Sequence, residues 1–351
     1  SHLGPAAAAP AAPPTDADAD PPAAECVRCG AVHPAGEADC ARCGGPTAAC
    51  ALPHVVAGKV AVDERVGAGG MGVVYRGMDL QLGRLVAVKT LPEVTPDEAV
   101  RLRREARTMA ALAHPHLALI YGVETWRGRP MLVVEYLAGG TLAGRLARRP
   151  LAPAAAVELG LALAGGLAAV HRAGVVHGDV KPSNVGFAAD GTPKLLDFGL
   201  ARLLTALDPA PRRAAARAAA GPLGDSLGGQ LGAGFGGGFG GAFGDPSHAS
   251  LSFAGSESVL RGTPRYMAPE ALRGDPPAPA FDLWSLALTL YEAVAGRLPD
   301  APLGAPVPPL RTLAPDAPPP LARALARALA PDPRARPPSA EAFAAALRAA
   351  A

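Results

Sequence analysis

The sequence has no cysteine after residue 50, and aromatic side chains make up only 4% of its 351 residues. Five cysteines crowded into the first 50 positions do not make a disulfide framework spread through a secreted fold; they fit a reducing compartment. Scarce aromatics leave few platforms for stacking bases, and a formal net charge of +2 creates no field for nucleic acid, so no nucleic-acid partner is expected. No apolar run reaches 18 residues and no N-terminal stretch has a signal-peptide pattern. A cytoplasmic location is expected on these grounds, and a membrane span beyond Ala351 is compatible with them. Lysine is rare, because the basic residues are almost all arginine.

Alanine, glycine and proline are abundant, with 42 Gly and 39 Pro, and alanine in every segment blurs helix signals. Residues 1–24 are mostly Ala, Pro and Asp and are expected to be a disordered tail. A cysteine module occupies 25–45. Short pieces rich in β-branched residues follow: VAVDERVG, GVVYRGMD, RLVAVKTL and PMLVVEYL. Between them lies a helix with a defined start: Thr95 at the N-cap, Pro96 at N1 and Glu98 at N3 of a capping box, running to about Leu112. From about Pro153 the pattern turns helical. An apolar helix of the buried kind ends near Gly174, a second starts near Asp282, and two more close the chain. Ser339 is a weak cap for the last, because Glu341 falls one place early for a capping box. Residues 221–244 contain twelve glycines, too many for regular structure.

CVRCG at 26–30 and CARCG at 40–44 are two Cys-x-x-Cys-Gly turns separated by ten residues. Such knuckles place Cys26, Cys29, Cys40 and Cys43 around one Zn2+ ion, which supplies the folding energy that so short a piece lacks. With four protein ligands the site is structural. Four unconnected thiols, or a redox pair, would not explain the duplication. Cys50 stands outside the repeat. The module resembles a zinc ribbon of the rubredoxin-like kind.

Gly67, Gly69 and Gly72 are spaced as G-x-G-x-x-G between two strand patterns, where a dinucleotide-binding motif would instead open a helix. That placement favours a hairpin lid over phosphates. The next strand ends in Lys89, fifteen residues after Val74, and no neighbouring strand offers a rival amine. Glu105 is mid-helix on the side that faces the sheet, whereas Glu98 serves the cap. Further on come HGDVKPSN at 177–184, DFG at 197–199, GTPRYMAPE at 262–270, FDLWSL at 281–286 and DPRARP at 332–337.

In this order, over about 55–349, these motifs resemble a bacterial serine/threonine protein kinase of the eukaryotic-like type. The resemblance implies an α+β, bilobal protein-kinase fold behind the zinc-ribbon-like module. Its β-rich small lobe would cover 55–137 and its helical large lobe 138–349, with an activation-segment insertion at 203–258. It implies ATP and Mg2+ as cofactors, with Mn2+ as a substitute, and proteins bearing Ser or Thr as substrates. Gly67, Gly69 and Gly72 would cover the phosphates, and Lys89, paired with Glu105, would neutralise them. Val74 and Ala87 would enclose the adenine, Glu135 and Leu137 would hold its edge from the hinge, and Val134 would be the gatekeeper. Asp179 would take the substrate proton, Lys181 would touch the transferring phosphoryl, and Asn184 and Asp197 would hold the magnesium. Thr263 would brace Asp179 and Lys181, Glu270 would pair with Arg336, and Asp282 would tie back to the catalytic loop.

Two features depart from the family. Gly178 replaces the arginine that pairs with a phosphate on the activation segment, so activation without that pair is expected. The segment itself is long, with 68 residues between DFG and APE. Its serines Ser247, Ser250, Ser252, Ser256 and Ser258 are candidates for autophosphorylation. An alternative from another class is a nucleotide-binding pseudokinase that acts as a scaffold.

Overall fold

A computed structural model describes residues 20–69, 72–198, 264–300 and 302–350. The expectations for the tail before residue 20, for Gly199, for the 203–258 insertion with its serines and for Thr263 lie outside the described residues. The chain divides into two compact units, Ser1–Gly140 with Gly186–Lys194 and Thr141–Val185 with Leu195–Ala351.

The β-branched pieces of the first unit form an antiparallel sheet. Its strands are β4 (Val55–Val56), β5 (Val60–Gly69), β6 (Gly72–Asp79), β7 (Arg84–Thr90), β8 (Ile120–Trp126) and β9 (Arg129–Glu135), in the order β4-β5-β6-β7-β9-β8. Alternate residues of these strands, among them Val62, Tyr75, Val86 and Val88, are buried in one core. The glycine motif lies in the β5–β6 hairpin, with Gly67 opposite Val74 and Gly69 opposite Gly72. Gly72 is required there: its φ is +129°, and a Cβ would lie 1.9 Å from the Thr90 carbonyl oxygen.

Helix α1 (Pro96–Ala110) begins as its sequence dictates. Thr95 Oγ1 accepts from Glu98 N, and Glu98 Oε2 accepts from Thr95 N at 2.8 Å. Those Thr95 donors hold the Glu98 carboxyl below the usual carboxylate range. The helix ends two residues short of the expected Leu112.

The cysteine module is larger than the 25–45 segment read from the sequence. β1 (Pro22–Cys26) pairs with β2 (Val32–His33) on one side and β3 (Thr47–Pro53) on the other. Residues 22–24, assigned above to the disordered tail, are therefore strand. Ala23 and Leu52 are fully buried, and tertiary burial of these residues overrides an Ala/Pro composition with little strand preference of its own.

The second unit is helical: α2 (Leu142–Leu146), α3 (Pro153–Arg172), α4 (Pro269–Leu272), α5 (Pro279–Ala295), α6 (Pro319–Ala328) and α7 (Ala340–Arg348). α3 has a mean hydropathy of 1.7 and is long and apolar enough to cross a membrane, but 56% of that stretch is buried, and the helix packs on α5 and α7. Proline at the first helical position starts α5 three residues before the expected Asp282. Ser339 does cap α7: its Oγ accepts from Ala342 N at 3.2 Å, a bond that needs no reciprocal carboxylate. Two short strands, β10 (Val185–Phe187) and β11 (Pro193–Leu195), follow the catalytic loop.

Candidate active site

The first unit carries the predicted nucleotide residues on β5, β6, β7 and β9. Lys89, 7% exposed, lies opposite Val74 on one side and Leu132 on the other. Ala87 lies between Arg76 and Val134, which places the buried alanine and the half-buried Val134 side by side. Glu105 is half-buried on α1, on the face that also carries buried Leu102 and Met109 and packs on β8. At the end of β9, Glu135 does more than its backbone suggested. Its N–H donates to Leu119 O at 2.8 Å, and its carboxylate accepts from Leu119 N at 3.1 Å and meets Lys194 Nζ at 2.8 Å. Lys194 was missed by sequence reasoning, because 59 residues separate it from its partner. Leu137, half-buried two places on, accepts from Gly140 N through its carbonyl.

The second unit gathers the catalytic-loop residues. Asn184 Nδ2 donates to the Asp179 carbonyl and to Asp179 Oδ2, both at 2.8 Å, and Lys181 Nζ lies 2.8 Å from the same Oδ2. The bonds fix the direction of the Asp179 carboxylate and leave Asn184 Oδ1 to accept from another group. The loop is held from below by Asp282 on α5, 1% exposed. Asp282 accepts from His177 N and Gly178 N, both at 2.8 Å, and from His171 Nε2 at 2.7 Å. His171, at the end of α3, is a second residue the sequence did not single out. Gly178 has φ +77°, a left-handed backbone that glycine adopts without cost. Asp197 also has a positive φ, +61°, and its neighbour Phe198 is buried. A non-glycine residue in that region marks backbone strain, which persists where function holds it.

In the same unit, Glu270 and Arg336 form a buried two-point pair at 2.5 and 2.8 Å. Tyr266 Oη donates to Glu292 at 2.6 Å, and burial pushes both groups above their ordinary ranges.

The four cysteines converge. Their sulfurs all lie within 4.8 Å of one another, with Cys26–Cys43 at 3.5 Å and Cys29–Cys40 at 3.6 Å. A tetrahedron with Zn–S bonds of about 2.3 Å has edges of about 3.8 Å, so the sulfurs fit one zinc ion. Backbone N–H groups of Cys29 and Arg28 draw the Cys26 thiol down to about 6, although burial pushes it up. The Gly45 N–H draws on Cys43, but the sulfurs of Cys29 and Cys26 outweigh it and push Cys43 up to about 12. His33 Nε2 lies 3.2 Å from Cys40 Sγ and is placed to donate to a bound thiolate.

Residues 60–216 match the family model described as protein kinase domain. The serine/threonine-protein kinase PknL of Mycobacterium tuberculosis is 34% identical over 242 residues, which cover 68% of this chain and 49% of PknL. Serine/threonine-protein kinase PknK of the same organism is 33% identical over 238 residues, 67% of this chain and 17% of PknK. The serine/threonine-protein kinase pkn2 of Myxococcus xanthus is 33% identical over 256 residues, 71% of this chain and 26% of that protein. The chain thus spans about half or less of the length of the curated relatives it matches. Among solved structures, the M. tuberculosis PknI kinase domain superposes with a TM-score of 0.59 at 24% identity, covering 86% of this chain and 100% of that one, a likeness of fold. Residues 60–216 thus match the protein kinase domain family, and the chain shares the fold of a kinase domain.

Proposed function

We propose that this chain transfers the γ-phosphoryl group of ATP to serine and threonine hydroxyls of proteins, its own included. The observation that carries this reading is the Asp179–Lys181–Asn184 cluster, in which one carboxylate is oriented by an amide and an ammonium at 2.8 Å. Phosphoryl transfer asks for positioning and charge neutralisation more than for covalent chemistry. In this reading the Asp179 carboxylate orients the substrate hydroxyl and receives its proton as the oxygen attacks. Lys181 offsets the negative charge of the group in transfer. The hairpin at Gly67, Gly69 and Gly72 covers the triphosphate, and Lys89, oriented by Glu105, neutralises it. Val74 and Ala87 enclose the adenine, Val134 is the gatekeeper, and backbone groups at Glu135 and Leu137 hold the adenine edge, with Lys194 fixing the Glu135 side chain. Thr263 is assigned to bracing Asp179 and Lys181.

Asn184 Oδ1 and the Asp197 carboxylate suit a hard cation that prefers oxygen ligands, such as Mg2+ or Mn2+. When bound, such a cation neutralises phosphate oxygens and aligns them for displacement. Cys26, Cys29, Cys40 and Cys43 hold structural Zn2+.

Incubation with Mg-ATP followed by intact mass spectrometry tests the activity. Wild type is expected to gain phosphates and to label casein, and Lys89→Met is expected to do neither. If wild type modifies neither itself nor casein, the enzyme reading fails and a nucleotide-binding scaffold replaces it.

Gly178 carries no side chain that could grip a phosphorylated loop, so activation in this reading does not rely on that contact. With every Ser and Thr from 205 to 258 changed to Ala, casein phosphorylation is expected to persist within a few-fold of wild type. Loss of activity in that variant would show that the loop phosphates are required.

A further inference from the structure

The cysteine module and the six-stranded sheet are joined by more than chain connectivity. Arg65 N donates to Gly30 O at 2.7 Å, and Ala31 forms an antiparallel bridge with Glu64. Side chains reinforce the contact from both sides: Arg42 meets Glu64 at 2.8 Å, and Glu25 meets Arg65 at 2.8 Å and accepts from Tyr75 Oη at 2.9 Å. Beneath these bonds, Ala23, Val32 and Leu52 of the module share one buried core with Val56, Val62 and Tyr75 of the sheet. At the β8–β9 turn, Trp126 Nε1 donates to Asp20 O at 3.1 Å.

The place of attachment is specific. β5 shifts register against β6 between Val62 and Glu64 and again between Arg65 and Gly67. The module therefore grips the two residues that lie between the irregularities, and the glycine motif begins at Gly67. Bulges re-aim a strand, so whatever holds Glu64 and Arg65 sets the direction in which the glycine hairpin leaves the sheet. The knuckles have little of their own to hold them. The buried cluster at the sulfurs is Cys26, Ala31 and Cys40, with Cys29 and Cys43 packed against it. So small a cluster keeps its shape through a bound ion rather than through apolar packing.

We propose that a thiophilic divalent cation at Cys26, Cys29, Cys40 and Cys43 is an effector of nucleotide binding. Occupancy fixes the knuckle turns at Gly30 and Ala31, these fix Glu64 and Arg65, and the hairpin over the triphosphate is held in its binding direction. The inference rests on reading the cysteines as a zinc site and the hairpin as the cover of ATP. Coupling of this kind is reciprocal: the ion tightens nucleotide binding, and nucleotide tightens the ion by the same factor.

The test uses the full chain, zinc, and adenylyl-imidodiphosphate with Mg2+ as the nucleotide probe. Zinc content is measured by plasma mass spectrometry and analogue affinity by calorimetry, before chelation, after it and after zinc is returned. Chelation is expected to weaken analogue binding by about tenfold, within the usual range of such couplings, and zinc is expected to restore it. Saturating analogue is expected to raise the chelator concentration needed to remove half the zinc by about the same factor. The variant Glu64→Ala with Arg65→Ala and Tyr75→Phe removes every side-chain contact of the clamp from the sheet side and leaves the cysteines and the Arg65 N–H bond to Gly30 intact. Fully zinc-loaded, it is expected to bind the analogue about tenfold more weakly than wild type. That arm decides the matter even if the stripped wild type aggregates.

Stoichiometric zinc with equal analogue affinity in loaded wild type and loaded variant overturns the coupling and leaves the cysteine site standing. Absence of bound zinc overturns the cysteine reading and this inference with it. Zinc-loaded protein that binds no analogue overturns the nucleotide reading instead.

Discussion

Replacement of Asp179 by asparagine is expected to lower kcat by about 10²- to 10⁴-fold, the usual contribution of a positioned general base. At about 1.4 kcal/mol per decade, that corresponds to roughly 2.8–5.6 kcal/mol of transition-state stabilisation. Asparagine matches the shape of aspartate, and its carbonyl oxygen can still accept from Lys181 and Asn184, whose contacts to Oδ2 are both 2.8 Å. What it cannot do is receive a proton. The loss should therefore fall on kcat, while analogue affinity changes little, because the residues assigned to the adenine and phosphates belong to the first unit and Asp179 to the second. Steady-state kinetics beside calorimetry separate the two quantities. An unchanged kcat would remove Asp179 from the proton transfer. A parallel loss of nucleotide affinity would mean that the loop had collapsed rather than lost its base.

The second large effect is on stability. Glu270→Ala is expected to destabilise the second unit by about 3–5 kcal/mol, the cost of breaking a buried ion pair from one side. The Arg336 side chain is 0% exposed, and it also donates to the carbonyls of Ala280 at 3.0 Å and Ala330 at 2.9 Å. Those carbonyls offer partial charges only, so a full cation would remain without its counter-ion. Replacing both residues, as Glu270→Leu with Arg336→Met, is expected to recover most of the loss, since an apolar pair of similar volume substitutes well for a buried ion pair. Urea unfolding of the two variants beside wild type reads both effects. Equal stability of Glu270→Ala and wild type would show that the pair contributes nothing there.

What the sequence revealed was local. The capping box of α1 is written in four consecutive residues, Thr95 to Glu98, and appears as expected. The glycine spacing between two strand patterns gave the β5–β6 hairpin, because a turn of that length closes on its own neighbours. Expectations failed where burial by distant residues decided the outcome. Pro22–Ala24 look like a soluble tail until Leu52 and the sheet core cover them. His171 and Lys194 carry no local signal. Their partners Asp282 and Glu135 lie 111 and 59 residues away, and only the folded chain brings them within 2.9 Å. The cysteine spacing predicted convergence of the sulfurs, but nothing in it predicted that the knuckle turn would pair with β5.

Gly178 makes exchange of this residue energetically one-sided. Its left-handed backbone, φ +77°, costs glycine nothing and costs a residue with a Cβ about 1–2 kcal/mol. Exchange of a bulkier residue for glycine releases that strain and is permitted whenever the lost side chain had ceased to matter. The reverse exchange restores the strain at once, and a benefit follows only if a phosphorylated loop is already in reach. Exchange at this position thus runs downhill in conformational energy one way and uphill the other.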